Sequence, residues 1–521
     1  MSKGKNTAFF KGAASLSISV IITKILGVAF KVPLSYVVGD EGMGYFNTAY
    51  AIYGFFYILC TAGVPKSITL AISGCCLEDN MGENDTLILK SAMMLFVKIG
   101  LFATLINIIC APAFASFVGN KKACLSIITI APSILFVALS GVLRGYLNTY
   151  EKLIPIAVSQ LIEGVVKLIV GLIMAFIGVR ASASSAVISA LAISGITLGS
   201  AISFAYMAIN VYFKNNSVIS GQNKEFNRKY VNRLIVKNAL PISLCSSLLN
   251  LSSTIDLTVI IKRLVKSGVS DRYANSVYGN YTTLAVPMFT LVISVLAPIA
   301  TSYMPRLSSM SAKEDKKGFL TELNRLLIIT LFISVPSSLA FYFYSFDLLD
   351  VLFTVQSSAI GAEALIALSF GIPLLSSLTV INTALESKGK IAVTVISLIS
   401  GAVTKFAVTY ALVGRGNLGI VGAPLGTVIS YAVSLCISLF ALERNDIKIH
   451  AWIKMCVFYI MGIGSFYFPY RYIYSRGILG TSLASTLVAL TVSCLFYLIS
   501  LSVLYCIFLQ KRCVKNAQKQ A

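Results

Sequence analysis

What most constrains this chain is a succession of apolar runs, each long enough to cross a bilayer. A spanning helix needs about 20 mostly apolar residues. Fourteen runs qualify, near 12–37, 45–73, 88–111, 123–143, 153–178, 184–213, 236–261, 277–302, 319–345, 357–381, 391–413, 420–442, 453–470 and 479–508. Backbone groups in lipid must be bonded internally, and the runs lack the period-two alternation of a membrane barrel, so they read as helices. Composition agrees: 57% of residues are hydrophobic and 12% charged, with a mean hydropathy of +0.85. A soluble chain carries about 25% charged residues. Soluble enzymes and disordered chains are excluded. The expected fold is an all-α integral membrane protein of about 14 transmembrane helices.

The basic excess has to be placed next. There are 42 Lys and Arg against 20 Asp and Glu, a net charge of +22. With the N-terminus inside, 25 of the 42 fall on cytoplasmic segments. The outer loops hold ten: Lys121, Lys122, Arg180, Lys262, Arg263, Lys266, Arg272, Arg415, Arg471 and Arg476. That bias follows the positive-inside rule, with both termini cytoplasmic. It explains the charge as topology, without nucleic acid. The acidic loop 74–87 runs against the pattern, but acids count little in the rule. The basic N-terminus leads into an apolar stretch too long for a signal peptide, so a retained first helix is expected. The 11 cysteines are scattered through apolar runs and the single His450 leaves no metal spacing, so the cysteines read as small buried hydrophobes.

The two halves show an internal likeness. Tyr45, Asn47 and Pro65 recur at a shift of 233 as Tyr278, Asn280 and Pro298. Lys167 and Lys405 each follow a glycine, Gly164 and Gly401. The expected organisation is an N-lobe over 1–213 (spans 1–6), a basic cytoplasmic linker over 214–235, a C-lobe over 236–442 (spans 7–12), and a segment 443–521 with spans 13–14 and a basic tail. Two repeated six-helix lobes typify transporters, whose substrate path runs between them.

Charges at membrane depth are costly and mark cavities or partners. Seven cations lie within spans (Lys24, Lys31, Lys66, Lys98, Lys167, Arg325, Lys405), against two acids well inside, Glu163 and Asp256. The ratio points to a cavity for an anion such as a phosphate or pyrophosphate. Lys24 and Lys31, seven apart, share one face of span 1. Lys24 is placed to line a cavity, while Lys31 can do so or snorkel to the interface. Lys66 follows the Gly-Val-Pro break of span 2 and can serve either role. Lys98 and Arg325 are expected to snorkel. Glu163 and Lys167 have the i, i+4 spacing of a local ion pair, or else Glu163 is a carboxylate that changes partners during transport. Lys405, with no acid nearby in its helix, is the freer cation. Asp256 can pair with a lysine or bind a coupling ion. The aromatic run Tyr50, Tyr53, Phe55, Phe56, Tyr57 can stack on sugar or lipid, or serve packing and belt roles.

Several stretches resemble a known family. They are TKILGVAFKVPLSYVVGDEGMGYFNTAY (23–50), TAGVPKSI (61–68), LRGYLNTYEKLIPIAVSQLIEGVVKLIVG (143–171) and LGIVGAPLGTVISY (418–431). Together they resemble the polysaccharide transporter branch of the multidrug/oligosaccharidyl-lipid/polysaccharide exporter superfamily, notably the stage V sporulation protein B group, with lipid II flippases as relatives. The resemblance implies a flippase in the bacterial cytoplasmic membrane. Its cargo would be an undecaprenyl-pyrophosphate-linked oligosaccharide or peptidoglycan precursor, moved by alternating access. It implies a cavity role for Lys24 and, more loosely, for Lys31. Arg144, Glu163 and Lys167 match the group's motif, and Arg144 would meet the headgroup or anchor the lobe. Lipid II flippases carry arginines in spans 2 and 8, where this chain has Tyr57 and Ile58, and Tyr281 and Thr282. No cofactor is expected. No GxxxxGK[ST] motif for ATP is present, so coupling to the membrane potential or an ion gradient is expected. The partners expected are the anionic lipid-linked sugar, membrane lipids, and enzymes of cell-envelope polymer synthesis. An ion-coupled multidrug exporter is the alternative, disfavoured because pumps for cationic drugs favour buried acids. A membrane-embedded glycan polymerase or ligase is a second alternative, disfavoured because such enzymes usually carry a long catalytic outer loop.

Overall fold

The computed structural model describes residues 3–500 apart from 62, 76–82, 151, 213–230, 238, 241–242, 244–250, 354, 416–417, 443–459 and 473–487. Residues 214–230 of the expected linker 214–235 and much of 443–521, including His450, lie outside the described residues, while 231–235 are helical, with Val231 and Ile235 buried in the core. Among the described residues every regular element is a helix. Nine helices there are long and apolar enough to cross a membrane, or ten if one bent pair is a single span. The chain separates into two compact units, Met1–Thr283 and Leu284–Ala521.

The first unit opens with α1 (Lys3–Thr61), which Gly39 interrupts at φ 72° and ψ 169°. Only glycine adopts that conformation freely. The chain reverses there. The Phe30 and Phe46 rings stand 5.9 Å apart, whereas 16 residues of straight helix would separate them by about 24 Å. Span 1 and the first part of span 2 are therefore the two limbs of α1, which meet at one residue, and span 2 continues into the next helix. Helix α2 (Val64–Cys75) begins after the break at Gly63. Then come α3 (Glu83–Val118), a 3₁₀ turn (Lys121–Ala123), α4 (Cys124–Thr149), α5 (Leu153–Arg180) and α6 (Ser185–Tyr212). Helix α7 (Leu251–Lys266) precedes α8 (Asp271–Asn280), whose N-terminus is capped by the Ser270 hydroxyl accepting from the Tyr273 amide.

Helix α1 packs against α4, α5, α6 and α8, and α5 lies along α6. Small residues set the α5–α6 approach. A Cβ at Gly195 would stand 2.5 Å from the Gly171 amide nitrogen and 2.9 Å from the Lys167 carbonyl. Close backbone approach is the usual route to helix association in lipid, where tails are as apolar as leucine.

In the second unit, α9 (Val286–Ala312) continues from a π turn at Tyr281–Ala285. Helix α10 (Lys316–Leu352) is capped by Asp315, which accepts from the Gly318 amide at 2.9 Å. The tenth expected span proves to be two helices, α11 (Val355–Ser369) and α12 (Gly371–Ser387), bent by 41°. Pro373 in the first turn of α12 has no amide hydrogen to continue the ladder, so a break here costs little. Helices α13 (Ile391–Leu412) and α14 (Gly422–Ala441) pack on each other, and α14 also on α12. Further helix covers 460–472 and Val488–Ser500. Phe466 and Tyr497 pack there with Leu339 and Tyr344.

Candidate functional site

Five of the first unit's candidate charges, Lys24, Lys31, Arg144, Glu163 and Lys167, lie on α1, α4 and α5. Gly164 brings α5 against Thr23 and Leu26 of α1, and the Ser19 hydroxyl donates to Gln160 Oε1 at 3.2 Å. Lys24 is exposed, and Lys31 and Lys167 are half-buried. Lys167 of α5 reaches the ring of Phe30, the neighbour of Lys31, so the packing of α5 on α1 brings the lysines of the two helices to one side of the unit.

Each cation is held differently. Lys31 Nζ donates to the Thr282 carbonyl at 3.0 Å and to Asn47 Oδ1 at 3.3 Å. The carbonyl belongs to the π turn, where the regular ladder is interrupted. Lys31 is therefore tied to the seam between spans 2 and 8, beyond the reach of simple snorkelling. Lys167 Nζ lies 4.8 Å from the Tyr50 ring centroid and 5.3 Å from that of Phe30. The ring faces are negative and attract the ammonium.

Glu163 differs from its expected local pairing. Its carboxylate faces Arg144 Nη2 of α4 at 3.4 Å, while Lys167 turns to the aromatic rings. Arg144 is buried. A guanidinium presents several donors to a carboxylate, which an ammonium on a neighbouring turn cannot match. Tyr57, noted in the sequence in the aromatic run and as a departure from lipid II flippases, packs against the apolar core of the first unit.

The remaining candidates lie apart from this group. Lys66 is exposed at the start of α2. Asp256 is buried in α7 and accepts from the Tyr281 hydroxyl at 3.3 Å. Lys98 and Arg325 are exposed. Lys405 belongs to the second unit and is only 2% exposed. It is packed inside α13's neighbourhood, not a free cation on an open face. Cys60 is buried, but Cys436 and Cys494 are exposed, which corrects the reading of the cysteines as buried throughout. Among the described residues no cluster of His, Cys, Asp or Glu could hold a metal ion.

A second polar group joins α1 to α8. Gly44 and Gly279 let the backbones touch: a Cβ at Gly279 would stand 2.7 Å from the Asp40 carbonyl and 2.8 Å from the Gly44 nitrogen. Around them, Asn47 Nδ2 donates to Thr283 Oγ1 at 2.7 Å, Asn280 Nδ2 to Asp40 Oδ2 at 3.1 Å, and Asn275 Nδ2 to the Glu41 carbonyl at 2.6 Å. Asn120 bridges Asn275 and Thr48. The repeated pair Asn47 and Asn280 meets in this one seam. At its end, Glu41 accepts from Tyr45 at 2.6 Å and pairs with Arg272 at 2.8 Å and Lys122 at 3.7 Å. These residues line a cavity of about 630 Å³.

The family model described as "Polysaccharide biosynthesis protein" matches residues 9–311, and the MatE model matches residues 282–411. Stage V sporulation protein B of Bacillus subtilis (strain 168) is 24% identical over 436 residues, covering 81% of this chain and 80% of its own. The lipid II flippase MurJ of the same organism is 22% identical over 464 residues, covering 84% and 83%. A solved structure of lipid II flippase MurJ, in an inward closed conformation, matches with a TM-score of 0.73 at 19% identity over 95% of this chain and 99% of its own. An inward-facing multidrug resistance MATE family transporter matches with a TM-score of 0.68 at 14% identity, over 86% and 98%. At these identities the structural matches speak for the fold.

Proposed function

This chain belongs to the polysaccharide biosynthesis protein family, and we propose from that premise that it flips an anionic lipid-linked sugar across the bacterial cytoplasmic membrane. The cargo is an undecaprenyl-pyrophosphate-linked oligosaccharide or peptidoglycan precursor. It is carried by alternating access between two six-helix lobes, with both termini cytoplasmic. The observation that carries the reading is the lysine group on the wall of the first unit. Lys167 lies over the ring of Phe30, the neighbour of Lys31, and α5 packs on α1 at Thr23, the neighbour of Lys24, while Glu163 is committed to Arg144. Cationic side chains at membrane depth cost free energy that a bound dianion would return. The pyrophosphate sits against these lysines and the prenyl chain stays in lipid. The cargo drives the cycle by binding the inward and outward states unequally, and the membrane potential or an ion gradient supplies the energy. Enzymes of envelope polymer synthesis deliver and consume the cargo.

The MatE match over 282–411 supports a second reading, an ion-coupled multidrug exporter. The cationic wall disfavours it, because a cationic drug would be repelled there. Lys24→Ala separates the two readings. Complementation of envelope polymer export, and flipping of defined lipid-linked sugars in proteoliposomes, should both be lost at normal membrane levels. Full activity of that variant removes Lys24 from the site. Export of a cationic dye, with no flipping of any lipid-linked sugar, would favour the drug exporter.

A further inference from the structure

The second limb of α1 carries Phe46, Tyr50, Tyr53 and Tyr57 at spacings of four, three and four, which places them on one helix face. Successive ring centroids stand 6.0, 6.0 and 5.6 Å apart. Tyr50 is exposed, Tyr57 half-buried, and Tyr53 is buried between them as their backing. The two ends differ in charge. At the Tyr50 end stands the Lys167 ammonium, 4.8 Å from the ring centroid. One turn of α5 from Lys167 stands the Arg144–Glu163 pair, and a Cβ at Gly141, three residues before Arg144, would stand 2.8 Å from the carbonyl of Cys60, three residues after Tyr57.

A belt of interfacial tyrosines would meet lipid headgroups. Phe46 and Tyr53 belong to the apolar core of the first unit and Tyr57 packs against it, while Tyr50 is exposed and meets the Lys167 ammonium, one turn of α5 from the buried guanidinium–carboxylate pair. Pyranose rings match that combination, having an apolar C–H face to lie on an aromatic ring and a rim of hydroxyls for charge-assisted hydrogen bonds. From Tyr50 to Tyr57 the helix rises about 10 Å, a length that two linked pyranose rings cover.

We propose that Tyr50 and Tyr57, with Arg144 and Glu163, form a glycan subsite beside the lysine group. The first sugars of the cargo lie along the tyrosine stripe, with their hydroxyls on Glu163 and Arg144 and the pyrophosphate at the Lys167 end. This rests on the reading of the chain as a lipid-linked sugar flippase. It adds that the sugar itself is recognised, so the bare lipid pyrophosphate is a poorer ligand.

The test uses the full chain in lipid nanodiscs and two probes: undecaprenyl pyrophosphate, and the same lipid bearing a disaccharide. Wild type should bind the glycosylated lipid more tightly. Tyr50→Leu should weaken the glycosylated lipid about tenfold, some 1.4 kcal/mol, and leave the bare lipid within about twofold. Tyr57→Phe, which keeps the ring and safeguards folding, should retain most of the preference. Tyr57→Leu should lose it. Lys24→Ala should weaken both lipids alike. Equal binding of the two lipids by wild type overturns the subsite, as does a Tyr50→Leu loss shared equally by both. If wild type binds neither lipid, the flippase reading falls and the subsite with it. If both bind equally and Lys24→Ala weakens both, the flippase reading stands and only the subsite is lost.

Discussion

Replacing Glu163 with glutamine leaves the Arg144 guanidinium charged and buried without its carboxylate. The two groups stand 3.4 Å apart, with side chains 10% and 21% exposed. At an effective dielectric of 20 their attraction is about 5 kcal/mol. Most of that offsets the loss of hydration, so the pair itself adds little net stability. Removing one member is different: it strands the other charge, at a cost of about 3–5 kcal/mol for a buried pair. Glu163 is a fifth exposed, which favours the low end. Glu163→Gln should therefore cost about 2–3 kcal/mol. Arg144→Met should cost a similar amount. The double variant Arg144→Met/Glu163→Met should lose clearly less than the sum, giving a coupling of about 2 kcal/mol. The assay is unfolding of the purified protein in detergent, for wild type, both single variants and the double. Strict additivity would refute the pairing and return Glu163 to the neighbouring Lys167.

Two further outcomes follow from other parts of the first unit. Glu41→Gln removes ion pairs whose cations, Lys122 and Arg272, are 71% and 81% exposed. The loss should be only about 1 kcal/mol at low salt and should shrink by half or more in 1 M NaCl, whereas a loss that ignores salt in matched unfolding experiments would contradict the electrostatic account. Gly195→Leu should lower the unfolding midpoint and the yield of monodisperse protein, at about 1–3 kcal/mol or more. Gly27→Ala, at a position with nothing near its would-be Cβ, should be neutral or slightly stabilising. Equal effects of the two glycine variants would refute the close contact of α5 with α6.

Much of the helix pattern is legible in the sequence, because a 20-residue apolar run in lipid has only one way to satisfy its backbone. Helix ends are less so. Residues 38–44 look like a loop, yet helix persists up to a single glycine on which the chain reverses. The run at 357–381 looks continuous, although it bends beside Pro373. Lys24, Lys31 and Lys167 could be picked out by the cost of charge in a membrane, and the fold packs the helices that carry them, α1 and α5, against each other. Partners could not be picked out in the same way. The i, i+4 rule describes an isolated helix, and in the bundle Arg144 of α4 outbids the lysine one turn away. Lys405 looked free because its own helix holds no acid, but its surroundings come from other helices.

The meeting of Gly44 with Gly279 has a consequence for reversibility. Two helices joined by leucines would expose a broad oily face on parting, and in an aqueous passage that face would pull them shut. Here the facing surface is largely asparagines, a threonine, Asp40 and bare backbone. When such a surface separates, water can replace the lost partners nearly one for one, so wetting and closure stay close in free energy. A joint of this composition would cost less to wet than one lined with leucines.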